Sequence, residues 1–353
     1  MLIIRYLLLP LSFIYWIITK FRNHLYNIGY KRSFSFETMV INVGNLSVGG
    51  TGKSPMIEYI IRLLKMDYKL ATLSRGYGRR SSGFKIADEN STSRSIGDEP
   101  RQFYLKFKHK IAVCVGEERA IAIPEILFNI PDTDIILLDD AFQHRSVKAD
   151  LNILLSDYNN LFYKDLLLPT GNLRESREGA SRADILVITK CPPKIELLEM
   201  EKIKINCRKY LKEKTPVYFS GIEYLTPIKV FDNSEFQFSR NVILFSGIGK
   251  SLYLENYVKN QFNLLNHIKF ADHHRYTFTD FKKLKGALEK TKFQNACLLT
   301  TEKDMVKINE EELAGIFNQL PIFYLPIKTK FISEAGQFQE QIFNKITEKQ
   351  KVL

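Results

Sequence analysis

From residue 39 onward the chain alternates short, fully apolar, β-branched runs with longer stretches whose apolar residues recur three and four apart. The runs Met39 to Val43, Lys69 to Ser74, Ile111 to Val115, Ile135 to Leu138, Leu151 to Leu155 and Ile185 to Thr189 read as strands covered on both faces. Between them, Ile57, Ile60, Ile61 and Leu64 lie on one face of a helix, and Glu117 to Phe128 forms another. Alternation of this kind predicts an α/β fold built on a mostly parallel sheet. After Val217 to Phe219 the pattern loosens through SGIEYLTPIKVFDNSEFQFSR, which reads as extended connecting chain. A second, smaller α/β unit is expected beyond it. Its strands are Val242 to Phe245, Cys297 to Thr300 and Ile322 to Leu325, with helices near Leu252 to Phe262 and Thr279 to Lys290. The expected division is 1–36 for an apolar helix and lead-in, 37–225 for the main core, 226–240 for a linker and 241–353 for the smaller domain.

The N-terminus breaks this rhythm. MLIIRYLLLPLSFIYWIITKFR carries an uncharged, mostly apolar run from Tyr6 to Thr19, shorter than the ~20 residues a span requires. Arg5 and Pro10 also disfavour a span, and no small-residue cleavage site follows. The pattern predicts a helix lying in the bilayer interface, with Tyr15 and Trp16 at headgroup level and Lys20, Arg22, Lys31 and Arg32 on anionic lipid. The competing reading is a buried N-terminal helix.

Composition changes the picture in three ways. At 353 residues the chain exceeds what one core usually fills, which agrees with two domains. The four cysteines Cys114, Cys191, Cys207 and Cys297 are scattered with no C-x-x-C pair, so a reducing compartment is expected, without a zinc site or disulfide framework. The net charge of +12 is concentrated before residue 40 and between residues 62 and 85. Such clusters suit an anionic membrane or a phosphorylated substrate, and no nucleic-acid module accompanies them.

One stretch carries chemistry outright. VGNLSVGGTGKS lies between the first strand and the first core helix, the context of a phosphate-binding P-loop. Ser47, Val48, Gly49, Gly50, Thr51, Gly52, Lys53 and Ser54 would wrap ATP phosphates, Lys53 reaching the β- and γ-phosphates and Ser54 holding Mg²⁺. Ser47 occupies the position where the usual pattern has its first glycine. Asp139 and Asp140 end the strand Ile135 to Leu138, where P-loop proteins place a Walker-B carboxylate for Mg²⁺. Polar clusters in the loops SRGYGR, GDEP, LPTGNLRESREGASRAD, FADHHRY and TTEKDMVKI gather near other strand ends.

The order of GNLSVGGTGKSP, SRGYGR, GDEP, DDAFQHR, LPTGNLRE, FSGIGK, FADHHRY and TEKDMVK resembles that of the tetraacyldisaccharide 4′-kinases of lipid A synthesis, to about Lys307. Departures are Ala141 for a usual glycine, Asn172 and Ser176 for usual prolines, and Lys250-Ser251 for a usual Asn-Pro. The resemblance implies transfer of the ATP γ-phosphate to the 4′-hydroxyl of an acylated glucosamine disaccharide 1-phosphate, giving lipid IV-A. It places that reaction at the cytoplasmic face of a Gram-negative inner membrane, with no protein partner. It makes Asp98 the base and His273 its orienting partner, one from each domain, with Lys53 stabilising charge. Arg75, Arg119, Arg174 and Glu175 become candidates for phosphate or sugar contacts.

Two other classes are weighed against this. A P-loop GTPase switch usually carries an N/T-K-x-D element, and the nearest string, TKCP at Thr189 to Pro192, lacks the aspartate. A basic nucleic-acid ATPase predicts steeply salt-dependent binding and has no supporting motif here.

Overall fold

The computed structural model describes residues 7–233, 235–249, 251–293 and 295–351, so Arg5, Tyr6 and Lys250 lie outside the described residues. The strands are β1 (Met39–Asn45), β2 (Leu70–Ser74), β3 (Lys85–Ile86), β4 (Ala112–Val115), β5 (Ile135–Asp139), β6 (Leu151–Asp157) and β7 (Ile185–Thr189). They continue with β8 (Val217–Tyr224), β9 (Ile228–Lys229), β10 (Asn241–Ser246), β11 (Asn263–Lys269), β12 (Cys297–Thr301), β13 (Ile322–Leu325) and β14 (Ile327–Phe331). The principal helices are α1 (Leu9–Asn27), α2 (Lys53–Leu64), α3 (Asp98–Phe107), α4 (Arg119–Asn129) and α5 (Leu197–Arg208). Beyond these come α6 (Leu252–Gln261), α7 (Phe278–Glu289), α8 (Glu302–Ile308) and α9 (Ala335–Gln350).

The larger sheet runs β14-β8-β7-β6-β1-β5-β2-β4-β3, parallel except for β14 and β3 at its two edges. Successive side chains of a strand point to opposite layers, so every inner strand supplies two cores. Ile41 and Val43 of β1 and Leu137 of β5 pack under α2, α3 and α9, whereas Val40 and Ile136 pack under α4. Leu154, Leu186 and Ile188 pack under α5. The smaller sheet runs β11-β10-β12-β13-β9, parallel except for β9.

The C-terminal limit of the smaller domain differs from the expected 241–353. After β13 the chain returns: β14 pairs antiparallel with β8, from Ile327 opposite Tyr224 to Phe331 opposite Ser220. Helix α9 then buries Phe338, Ile342 and Ile346 in the core of the larger domain. Burial of those three apolar residues at one-turn spacing fixes the helix there and not on the smaller sheet. The expected linker 226–240 likewise contains β9, whose Ile228 and Lys229 pair with Tyr324 and Phe323.

Helix α1 is amphipathic in reverse. Ser12, Tyr15, Thr19, Arg22 and Asn23 recur at helical spacing and face the protein, where Ser12 Oγ donates to the Leu167 carbonyl at 3.1 Å and Tyr15 Oη to the Arg174 carbonyl at 2.8 Å. Phe13, Ile14, Ile17, Ile18 and Phe21 face solvent. Among the described residues no helix is long and apolar enough to cross a membrane.

Candidate active site

The phosphate loop is shaped by its glycines and pinned by a neighbouring loop. Gly52 caps α2 in the left-handed region at φ 86°, where a side chain is disfavoured. Helix α2 then presents its N-terminal N–H groups to the loop, and Pro55, lacking one, fits its first turn. From outside, Val48 N–H donates to the Asn172 carbonyl at 2.8 Å, and Ser47 forms an antiparallel bridge with Leu173. The LPTGNLRE segment thus holds the phosphate loop in place. Thr51 and Ser54 are buried, and Val48 is exposed.

Lys53, Asp140 and Arg174 meet at the end of β5. Lys53 Nζ lies 3.5 Å from Asp140 Oδ2 and 3.4 Å from Asn45 Oδ1. Arg174 grips both oxygens of Asp140, at 3.1 and 2.6 Å, and also donates to Asn45. Burial raises the Asp140 carboxyl, but Lys53 and Arg174 outweigh it and the net shift is downward. Its neighbour Asp139 goes the other way: burial, then the Asp140 charge, push it up to about 6. Ser74 Oγ donates to Asp139 Oδ2 at 3.3 Å, while Oδ1 is buried without a hydrogen-bond partner.

These groups suit Mg²⁺ by donor type. The Ser54 hydroxyl and the unpartnered Asp139 oxygen are hard oxygen donors, and Mg²⁺ in phosphate-transfer sites takes one or two carboxylates, its other donors being waters and phosphate oxygens. Among the described residues no three His, Cys, Asp or Glu side chains cluster as a self-sufficient metal site. Both Asp140 oxygens are occupied by Arg174, which leaves Asp139 the freer ligand.

The second half of the site comes from two domains. Asp98 is the first residue of α3, delivered by Gly97 at φ 98°, whose Cβ would stand only 3.1 Å from the Gly76 backbone of the SRGYGR loop. His273 extends from the smaller domain in the left-handed region, φ 55°, and its Nδ1 bonds Asp98 Oδ2 at 3.2 Å. That hydrogen bond raises the His273 pKa against the opposing effect of burial. Lys307 Nζ stands 4.0 Å from the same Asp98 oxygen and 3.1 Å from Asp304 Oδ1. Beside them Lys303 of α8 pairs with Glu99 at 2.6 Å and also lies in the field of Asp98 and Asp139. Tyr77 sits over His273, ring centroids 5.5 Å apart, and Arg275 donates to the Gly78 carbonyl at 3.0 Å.

The remaining candidates divide. Arg75 is exposed at the end of β2. Arg119 is 1% exposed and donates to the Gly116 and Asp139 carbonyls at 2.9 and 3.2 Å, so it supports the end of β5 and presents nothing to the cleft. Glu175 is fully buried and accepts from Asn23, Gln143 and Arg182, which ties α1 to the β5 loop. Sequence reading passed over Lys307, although it lies one helical turn after Lys303 in TEKDMVK. It also passed over Gln143 and His144, both inside DDAFQHR. Burial, then the charges of Arg119 and Arg75, push His144 down to about 4, so it is neutral at physiological pH.

Comparison with known proteins places the whole chain in one family. A family model described as tetraacyldisaccharide-1-P 4′-kinase matches residues 4–347. The tetraacyldisaccharide 4′-kinases of Flavobacterium johnsoniae and Flavobacterium psychrophilum are 41% and 42% identical, covering 98% and 97% of this chain and 98% and 96% of their own lengths. That of Bacteroides thetaiotaomicron is 37% identical, covering 97% of this chain and 93% of its own. A crystal structure of LpxK from Aquifex aeolicus in complex with ATP superposes with a TM-score of 0.74 at 30% identity, covering 97% of this chain and 99% of that one. The chain belongs to the tetraacyldisaccharide 4′-kinase family.

Proposed function

We propose that this protein transfers the γ-phosphoryl group of ATP to the 4′-hydroxyl of a tetraacylated glucosamine disaccharide 1-phosphate, yielding ADP and lipid IV-A. The observation that carries the reading is the Asp98 and His273 pair, assembled from two domains beside a complete phosphate loop. Asp98 accepts the proton of the 4′-hydroxyl as its oxygen attacks the γ-phosphorus and the bond to the β–γ bridging oxygen breaks. His273 holds Asp98 in one orientation from the opposite domain, so base and phosphate loop are aligned only when the two domains meet. Lys53 stabilises the negative charge gathering on the transferred group. Ser54 and Asp139, with Asp140 nearby, would hold Mg²⁺, which when bound would supply neutralisation of phosphate charge. Arg75 is the exposed cation of the original set and is assigned to the anionic substrate.

The apolar outer face of α1 lies beside the phosphate-loop clamp at Thr170 and Arg174, which suits a substrate drawn from a membrane with anionic headgroups. Activity at the cytoplasmic face of the inner membrane is the reading that matches a supply of ATP and the buried free cysteines.

The test is transfer of labelled γ-phosphate to tetraacyldisaccharide 1-phosphate in mixed micelles. Asp98→Ala is expected to lower kcat by about 10²–10⁴ with a much smaller change in ATP affinity. Lys53→Ala is expected to lose both. An equal loss of kcat and ATP affinity in Asp98→Ala would assign that carboxylate to metal or nucleotide binding.

A further inference from the structure

Asp304 and Lys307 of α8 stand outside the chemistry above, yet they hold the loop that delivers His273. Asp304 is fully buried and built into the start of its helix: its N–H donates to Thr301 Oγ1 at 3.1 Å, and its Oδ2 accepts from the same hydroxyl at 2.7 Å. That Oδ2 also accepts the Gly247 N–H at 3.0 Å, where the chain leaves β10. A carboxylate in such a place requires a cation, and Lys307, one turn further on, supplies it with Nζ 3.1 Å from Asp304 Oδ1. The contact is an ion pair without the alignment of a hydrogen bond, so the ammonium keeps its donors for other groups. One goes to the His274 carbonyl at 3.1 Å.

These two anchors bracket His273. On one side its N–H donates to the Gly247 carbonyl at 3.2 Å, and Gly247 is the residue tied to Asp304. On the other, the carbonyl of the next residue is tied to Lys307. Between them His273 sits at φ 55°, a conformation that persists only where its surroundings impose it. The bracket has no slack: a Cβ on Gly247 would stand 3.0 Å from His274 Cβ and 3.1 Å from Asp304 Oδ1. The same ammonium stands 4.0 Å from Asp98 Oδ2, the oxygen that His273 Nδ1 binds at 3.2 Å. One buried cation therefore meets the backbone beside one member of the pair and the carboxylate of the other.

Resting on the kinase reading above, we infer that Lys307, anchored by Asp304, is a positioning residue for the pair of Asp98 and His273: it fixes where the imidazole meets the carboxylate and acts on the reaction only through them. Alignment effects are steep, a displacement of about 1 Å costing about 10²-fold in rate.

The paired variant Asp304→Asn/Lys307→Met removes both charges together, so neither is left stranded in the interior. Its kcat for lipid phosphorylation is expected to fall about 10²-fold, with KM for ATP and for lipid within about twofold of wild type. In a His273→Ala background the same two substitutions are expected to cost less than about threefold, because a residue that acts through His273 has nothing left to position. An equal loss in both backgrounds, or an unchanged kcat in the first, overturns the role. Titration of the His273 imidazole by NMR reads the positioning without turnover. The charged groups around that ring are Asp98 and Glu99 of α3, Lys303 of α8 and Asp272 of its own loop, with Lys307 beyond Asp98. The hydrogen bond to Asp98 raises the His273 pKa, so a ring that drifts away titrates at lower pH, whereas loss of the Lys307 cation alone would move it upward. A fall is expected in the paired variant, and an unchanged or raised midpoint overturns the inference. Gly247→Ala keeps every charge and presses its Cβ on the same two groups, so it is expected to show both changes with the ion pair present. Wild-type protein that phosphorylates no lipid would sink the kinase reading, while the titration still decides the positioning.

Discussion

At the scale of single residues the cleft is governed by ion pairs that reach across it. Burial alone would raise the Glu99 carboxyl, but Lys303, at 2.6 Å, reverses that and holds it down to about 2. The folded value lies below the unfolded value of about 4.3, so the pair contributes stability that is complete above pH ~4.3 and drains away as pH falls towards 2. Glu99→Gln strands the Lys303 ammonium between the domains. The expected cost is about 2 kcal/mol at pH 7, reduced from that of a fully buried pair because Lys303 keeps contact with water. Urea unfolding of both proteins at pH 7 and pH 3 measures it: the gap between wild type and variant should narrow at the lower pH. A gap independent of pH would mean that the substitution costs packing and not charge.

At the scale of elements, most of what builds the site was legible because inner strands and the phosphate loop are fixed by local rules. A fully apolar run such as Ile185–Thr189 is sheltered on both faces wherever it sits, and its observed limits coincide with the apolar run. The β14–α9 return was also written in the chain, as Ile327, Thr329 and Phe331 alternating with lysines and then Phe338, Ile342 and Ile346 at helical spacing. It was assigned to the wrong domain because pattern gives an element's type and not its partner. Arg119 and Glu175 differ for a related reason: the resemblance offered them as phosphate or sugar contacts by residue type, and the fold buries them as internal braces. Helix α1 had two readings, and its polar stripe settles which side is packed. Replacing Phe13 and Ile17, 60% and 48% exposed, with serine removes two apolar side chains that touch little protein. Sedimentation with vesicles containing anionic phospholipid should fall by more than tenfold, since each side chain is worth about 1.5–3 kcal/mol on burial. The unfolding midpoint should stay put. Unaltered vesicle binding would return α1 to the role of an ordinary packing helix.

At the scale of the whole molecule, a crossing pair of strands, β8 outward and β14 back, joins the two domains, and beneath the ion pairs of the cleft lies a buried charge cluster. Lys106 of α3 reaches Glu58 of α2 at 2.7 Å and Glu302 of α8 at 2.6 Å. Glu302 also accepts the Ile327 N–H at 3.3 Å, where the returning strand begins. The phosphate-loop helix, the helix that starts at Asp98, the smaller domain and the hinge strand are all fastened to this one ammonium. Both carboxylates are almost wholly buried, so without Lys106 the cation left on the pair is Arg62, 2.9 Å from Glu58, and the two charges face each other in a weakly screening medium. Burial, then Glu58, already raise the Glu302 pKa even with the lysine present. A carboxyl raised above its unfolded value is bound more tightly by protons in the folded state, so lowering pH through that value stabilises the fold. Lys106→Met is therefore expected to lose about 3 kcal/mol at pH 8 and to recover part of it by pH 5, its own unfolding midpoint rising as Glu302 takes up a proton. The same variant should also lose kcat, because the loosened joint lets His273 drift from Asp98. A stability defect that stays constant from pH 8 to pH 5 would show that the cluster joins the domains by packing, with the charges incidental.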